Sequence, residues 1–545
     1  MREEIHTAPE IAAARAGRFG VGGWEVPLKA PVDWTMDPFE AKKFRGALHK
    51  LNWLDVLFYV YREEGDLGAL AQARNLVLDW VQANPPESPT SDKSWVNKVA
   101  AYRSLLIAYT ALAASCEGML GEQDATRLIE AVQEHGDFVA GPAYTPTNKG
   151  PAMDIALGKL AAQVPFMASA PGWDQAARAR HRDTVAGGIV DSEGFWLEHS
   201  SSYHVLVRGL VRRLAEFFGD PDGRLGELHA LMTETAGWLV MPNDEYVQLG
   251  DSHQKPVTQQ VRQAAAGDQG LAWFEETGLA IVKESASYLA LTSMFHSGTH
   301  KQSDDLSFDL FDSGHQIVSD SGLYEKDPSR WFRFAKSARA HSVLTVDGSE
   351  LPRESADAYG SGLRARGQGD GWYAILAENP LLWRDRVSHR RLLLYEPGEA
   401  LIVLDLIRSS KRHTYRRYFQ IGPKVDVSKR RDGLKLSAPG FRGNLEIKDG
   451  GKGRSQLVKG KRKPLLGFTS PQYRVSVPRW TVIRKTRAHN VDMLAGFRLD
   501  KPKPLRAAVK SDPRRWHLRL ERGSGTRKLE VAQDGNQLDV AESGR

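Results

Sequence analysis

The hydrophobic period of this chain changes once, near Gly278, and that change restricts the folds open to it. Between about 39 and 239 the apolar residues recur at the spacing of amphipathic helices. FRGALHKLNWLDVLFYVYREEGD, LGALAQARNLVLDWVQANPP and WVNKVAAYRSLLIAYTALAAS each read as a helix that stops at Gly, Asn-Pro or Ser, and about five more follow before LGELHALMTETAGWLV ends. After Gly278 the period is two. LAIVKESASYLALTSMF, SFDLFDSGHQIVSDSG, HSVLTVDG, WYAILAEN and RVSHRRLLLYEPGEALIVLDLIRSS alternate apolar and polar residues, with turns such as EPGEA and DGNQ between strands. Helices followed by strands describe an α+β chain with separate domains, not a wound α/β sheet. The boundaries expected are an N-terminal extension over 1–30, a helical domain over 31–278 and an antiparallel β domain over 279–545. Antiparallel helix pairs in succession suit a toroid or solenoid, and a large bundle would give the same pattern. Stretches 353–371 and 449–463 read as long polar loops.

Several chemistries have no support. Cys116 is the only cysteine, which rules out an intrachain disulfide and thiolate metal clusters. No GxGxxG or P-loop pattern is present, so nucleotide-dependent chemistry lacks a site. No run reaches the roughly 18 apolar residues of a membrane span. The first thirty residues hold no signal-peptide core, so the expectation is a cytoplasmic protein, or an exported one whose signal has been removed. The formal charge is +7, and 424–463 carries thirteen Lys or Arg against four Asp or Glu. That excess favours a polyanionic partner or simply a solvated basic surface. No nucleic-acid module accompanies it.

Four polar clusters stand out from the scaffold. TPTNKG places Asn148 before a helix, where an asparagine is ordinarily a cap. EHSSSYH, Glu198 to His204, opens another helix; its serines suit capping, but a tyrosine and two histidines in so short a span suit chemistry. HSGTHKQSDDLSFDLFDSGHQIVSDSG sets His296, His300, Asp304 and Asp305 ahead of a strand and Asp320 after one hairpin. ARAHSVLTVDG brings His341 into a further strand. Single histidines at strand entries are usually structural; two such sites with aspartates at one sheet edge make a site of some kind.

In this order, N-x-G before a helix, E-x-S-x-x-Y-H, the H-x-x-x-DDLSF block with D-x-G-x-Y after it, and ARAHSVLTVDG, the chain resembles the heparinase II/III family of polysaccharide lyases, relatives of some alginate lyases. SHRRLLLYEPGEALIVLDLI and GFTSPQYRVSVP extend the likeness, which spans about 31–485. The resemblance implies an N-terminal (α/α) toroid followed by a C-terminal antiparallel β-sandwich. It also implies β-elimination at a 4-linked uronic acid of an acidic polysaccharide: a base takes the C5 proton, an acid protonates the leaving oxygen, and a donor stabilises the enolate-like carboxylate. By position, Asn148 would hold the carboxylate, Tyr203 would be acid and also base, and His300 the companion base. Arg103, Lys149 and His204 would bind substrate. The phenol would need nearby cations to work as a phenolate.

Two positions depart from the family pattern. Lys149 stands where many relatives have histidine or asparagine. Gln302 stands where relatives have a histidine that joins counterparts of Asp320 and His341 around a structural metal. A neutral amide oxygen is a poor zinc ligand, so the expectation is zinc held weakly, calcium through oxygens, or no metal. Two other readings stay open: a non-catalytic polysaccharide-binding or biosynthetic accessory protein, and a uronide hydrolase. The hydrolase would need two flanking carboxylates, Asp251 being one candidate.

Overall fold

The computed structural model describes residues 6–141, 145, 147–186, 190–220, 222–431, 433–449, 455–499, 505–522 and 525–543. The chain divides into two compact units, Met1–Ile189 with Gly209–Gly226, and Val190–Arg208 with Glu227–Arg545. The expected boundary at 278 is therefore corrected. The helix Ser201–Phe218 gives its start to one unit and its end to the other. Periodicity finds helices; packing decides which core they join.

In the first unit the helices Asp55–Glu64, Leu67–Ala83, Asn97–Cys116, Glu122–Ala140, Gly150–Gln163 and Ala170–Ala186 pack each on the next, and several on the next but one. That is the contact pattern of α/α pairs in succession. Within 6–30, helix Ala8–Arg15 and hairpin Arg18–Val21/Trp24–Pro27 bury Ala14, Phe19 and Val21. Helix Asn97–Cys116 is long and apolar enough to cross a membrane by length and composition. It packs instead among Leu67–Ala83, Glu122–Ala140 and Gly150–Gln163, with Arg103, Ser104 and Thr110 buried along it. This is the core helix of the unit.

The second unit is built from sheets that are antiparallel except where Leu363–Gly369 meets Gln537–Ser543 in parallel. A five-stranded sheet (Gly270–Phe274, Leu279–Lys283, Tyr288–Thr292, Phe308–Asp312, His315–Val318) is covered on both faces, so its central strands read LAIVK and YLALT without clean alternation. One face, with Val282, Leu291, Phe308 and Leu310, meets Leu393, Tyr395, Val403 and Phe497 of a twelve-stranded sheet. The other, with Leu279, Ile281 and Tyr288, packs on Phe195, Leu239, Val240 and Val247, which draws the segments before 278 into this unit. Apolar faces meeting in this way make the β-sandwich.

The last four strands, Arg506–Ser511, Arg515–Arg522, Gly525–Asp534 and Gln537–Ser543, continue the large sheet and share a second core with its outer face, Trp516, Leu518 and Val531 against Leu392, Ile402 and Leu404. Their attachment corrects the loop expected at 353–371, which contains strand Leu363–Gly369. A Cβ at Gly367 or Gly369 would lie 1.7 Å or 2.1 Å from the carbonyl oxygen of Leu538 or Val540, so glycine is required where the two strands approach.

Candidate active site

The start of helix Ser201–Phe218 is pinned by the serines that precede Tyr203. Ser200 Oγ accepts from Tyr203 N and donates to the Asp251 carbonyl, Ser201 Oγ donates to Val247 O, and Ser202 Oγ donates to His253 O. The serines thus cap the helix and also bind it to 247–253, which brings Asp251 beside Tyr203. Gly250 adopts a left-handed conformation (φ 55°), and a Cβ there would lie 2.3 Å from His199 O. Only glycine allows that approach.

His300 lies on the other side. Its ring stacks on Tyr203 with centroids 3.7 Å apart. Its Nδ1 is 3.0 Å from Asp251 Oδ2, and its Nε2 is 3.7 Å from Glu198 Oε2. Asp251 also accepts from Gln302 Nε2 at 2.7 Å and lies 3.3 Å from Lys336 Nζ. Burial acts to raise the Asp251 pKa, but the His300 hydrogen bond and the Lys336 charge outweigh it, and the carboxyl titrates below its usual range. An ionised Asp251 draws the His300 proton to Nδ1 and puts the ring lone pair on Nε2. The hydrolase candidate carboxylate is thus committed to orienting a histidine.

Tyr203 is 9 % exposed, and its hydroxyl accepts from Lys326 Nζ at 2.7 Å. Burial, with Asp251 and Glu198 adding to it, raises the phenol pKa above its ordinary value. Desolvation lowers that of Lys326, although the residue as a whole is exposed. A protonated phenol whose oxygen already receives an ammonium proton is set to release its own proton as an acid, because the phenolate left behind has its counter-charge in place.

The loop carrying His300 is held from several sides. His199 and His300 are both left-handed (φ 60° and 58°), a costly state for residues other than glycine, usually stored at functional sites. His199, kept neutral by burial, meets Thr299 O through Nδ1 and accepts from His296 N through Nε2; His296 Nε2 reaches Thr277 O. The two aspartates of DDLSF are structural: buried Lys301 donates to Asp304 (2.6 Å) and Asp305 (3.1 Å), and Tyr359 donates to Asp305. Arg391 donates to the carbonyls of Leu306 and Ser342, fixing the strand entry.

Tyr203 and His300 are therefore brought together in the second unit. Asn148 and Lys149 belong to the first, in the turn before helix Gly150–Gln163. Lys149, not Asn148, is the N-cap residue, and it makes no side-chain cap. Two expected substrate contacts are corrected. Arg103 is fully buried, with Nε bonded to His135 Nε2, Nη1 to His49 O and its plane 3.7 Å from the Trp80 ring, so it is neither an exposed clamp nor a surface ion pair. His204 is also buried, its Nε2 on Met232 O and its Nδ1 facing Trp196 N; burial pushes its pKa to about 4.

The residues expected around a metal do not fit one. His341 uses Nδ1 on Asp320 Oδ1 (2.8 Å) and Nε2 on Ala335 O (3.0 Å), which leaves no ring lone pair for an ion. Gln302 donates to Asp251 and accepts from Ser321 Oγ. Among the described residues no group of three or more His, Cys, Asp or Glu is placed to hold a metal. The sequence pattern did not single out Lys326, Lys336 or the orienting role of Asp251, since each meets its partner only through the fold.

Residues 266–477 match the heparinase II/III-like C-terminal domain. No curated protein matches it significantly in sequence. Among solved structures it is similar to heparinase III (15 % identity, TM-score 0.79, covering 97 % of this chain and 92 % of that one). It is also similar to heparan sulfate lyase HepC of Pedobacter heparinus (15 %, 0.63, 99 % and 90 %) and to a chondroitinase AC lyase (11 %, 0.57, 99 % and 92 %). The fold is thus that of the toroid-plus-β-sandwich lyases.

Proposed function

We propose that this protein is a polysaccharide lyase that cleaves an acidic polysaccharide at a 4-linked uronic acid by β-elimination. The observation that carries the reading is the arrangement of Tyr203 between Lys326 and the Asp251-oriented His300. His300 Nε2 takes the proton from C5 of the uronate. The C4–O bond breaks as the C4–C5 double bond forms, and Tyr203 Oη gives its proton to the departing oxygen. Lys326 stabilises the phenolate that remains. The proton on His300 passes to water, and Tyr203 regains its own from water, so the enzyme returns to its starting state. The uronate carboxylate, which the abstraction makes enolate-like, needs a hydrogen-bond donor or a cation beside it. The relatives named above, heparinase III and a chondroitinase AC lyase, give glycosaminoglycans as the first substrates to try.

The test is incubation with heparan sulfate, chondroitin sulfate, hyaluronan and alginate while following the ultraviolet absorbance of the conjugated double bond. A rise with one polymer supports the reading and names its substrate. New reducing ends without that absorbance would make the protein a hydrolase, and neither signal on any of the four would favour an accessory role.

A further inference from the structure

Far along the second unit, a tryptophan is held out into solvent by a rigid turn. The 3₁₀ turn Pro380–Asp385 is capped by Asn379, whose side chain accepts from Leu381 N, and Leu381 and Leu382 are buried in a core with Val387, Ile407 and Met493. With those two leucines inserted, the next residue has to point outward. Trp383 is 58 % exposed, the most exposed of the tryptophans described. Arg386 closes the turn in a left-handed conformation (φ 58°) that a bulky side chain seldom adopts. It is exposed and makes no ion pair among the described residues.

These two side chains border a shallow groove of about 580 Å³. Its opposite wall is the end of strand Ala400–Ser409 and the loop after it: Arg408, held in place by Asp492 at 2.6 Å, then Ser409 and Ser410, with Asn490 alongside. Lys411 and Arg412 follow directly and are exposed. The groove thus combines a flat indole, two guanidinium groups at its edge, and small hydroxyl and amide groups along its wall. Among the described residues no carboxylate lines it, Asp492 reaching it only through Arg408. An indole face covers the C–H face of a pyranose ring, guanidinium forks take carboxylate or sulfate bidentately, and hydroxyls exchange hydrogen bonds with sugar hydroxyls. A site open on one side admits a chain passing through and suits no small enclosed ligand.

We propose that this groove is a second, non-catalytic binding site for an acidic polysaccharide chain, with Trp383 stacked on one sugar ring and Arg386 and Arg408 on its acidic groups. None of the residues of the catalytic cluster lines it. It would hold a polymer near the enzyme between cleavages, and its partner class is the one proposed for the active site, but its argument rests on the indole and the charges and not on the elimination chemistry.

The experiment is affinity electrophoresis of the full chain through gels containing heparan sulfate, chondroitin sulfate or alginate, against neutral dextran. It is done in a Tyr203→Phe background so that the polymer stays intact. The expected result is retardation by at least one of the three acidic polymers and not by dextran, weakened about tenfold in apparent affinity by Trp383→Ala or Arg386→Gln and largely kept in Trp383→Phe. Trp383→Phe and Arg386→Gln keep the test usable where Trp383→Ala does not fold. Unretarded parent protein, or retardation that both Trp383→Ala and Arg386→Gln leave unchanged, overturns the proposal. So does a drop in molar mass by light scattering when Trp383 is replaced, which would make the face a contact between copies. Failure of the elimination assay leaves this result untouched, so the two readings fall separately.

Discussion

Lys326 Nζ donates to the hydroxyl of Tyr203 across 2.7 Å, and the two residues are 123 positions apart. Among the described residues the ammonium is the one cation placed directly on the phenol, and burial works against both partners in their charged forms. Replacing Lys326 with Met should therefore reduce kcat by about 10² or more while KM changes little. The phenol would then lack a counter-charge, and the remaining activity should require a stronger leaving-group acid than an unassisted phenol provides. Tyr203→Phe should reduce turnover to background with an unchanged circular dichroism spectrum. A Lys326→Met enzyme with full kcat would separate the lysine from the chemistry.

Asp251 orients His300, and its replacement by Asn should be almost as damaging as loss of the base. The amide would leave the ring free to take the wrong tautomer, a change that costs about 10⁴ in rate where a carboxylate fixes a catalytic histidine. Since Asp251 also neutralises Lys336 and receives Gln302, the melting temperature should fall as well. Steady-state kinetics beside a thermal melt separate the two effects: an Asp251→Asn protein that loses only stability would make the aspartate structural.

Gly250 tests how the site is held. A methyl group placed 2.3 Å from His199 O, on a backbone at φ 55°, cannot be accommodated without moving the segment that carries Asp251. Gly250→Ala should destabilise the protein by about 2 kcal/mol or more, and the rate should drop with it. Retention of both the melting temperature and kcat would show that this approach is not needed.

The parts of this site differ in how far they could be read from the chain. Tyr203 and His300 sit in local motifs, at a helix start and a strand entry, so the residue pattern marks them. Lys326 and Asp251 carry no such mark, because each gains its role from a partner 123 or 49 positions away. For His204 and Arg103 the family resemblance implies substrate contact, while burial among aromatic rings and backbone carbonyls gives them structural work. The period change near 278 gave the two kinds of secondary structure correctly. It could not assign the stretches 190–208 and 227–278, whose apolar residues, such as Phe195 and Val247, serve the sheet core.

The metal position yields a direct test. His341 has both ring nitrogens committed and Gln302 spends its amide on Asp251, so a chelator should change neither activity nor melting temperature. Dialysis against a strong chelator, followed by metal analysis and a melt, checks this. A stoichiometric ion lost together with several degrees of stability would require His341 to turn and release Ala335 O.

A buried ion network that runs from the large sheet to a four-stranded sheet makes stability depend on pH. Asp405 receives His389 and Arg391 and lies 2.9 Å from Arg417, which continues to Asp449 and Arg484. Burial alone would raise its pKa, but the two guanidinium charges prevail and hold the carboxyl far below the ordinary value. Since the folded pKa lies under the unfolded value of about 3.9, this stabilisation is complete above roughly pH 5 and is lost as pH falls through 4 and lower. Asp405→Asn should cost about 3 to 5 kcal/mol at pH 7, because it leaves two buried guanidinium groups without their counter-ion. The gap between parent and variant should narrow below pH 4, where the unfolded parent's carboxyl takes up a proton while the folded one stays ionised. Denaturant melts of both proteins from pH 7 down to 3 read this difference, and a gap that stays constant across that range would mean that the arginines draw their compensation from Asp449 instead.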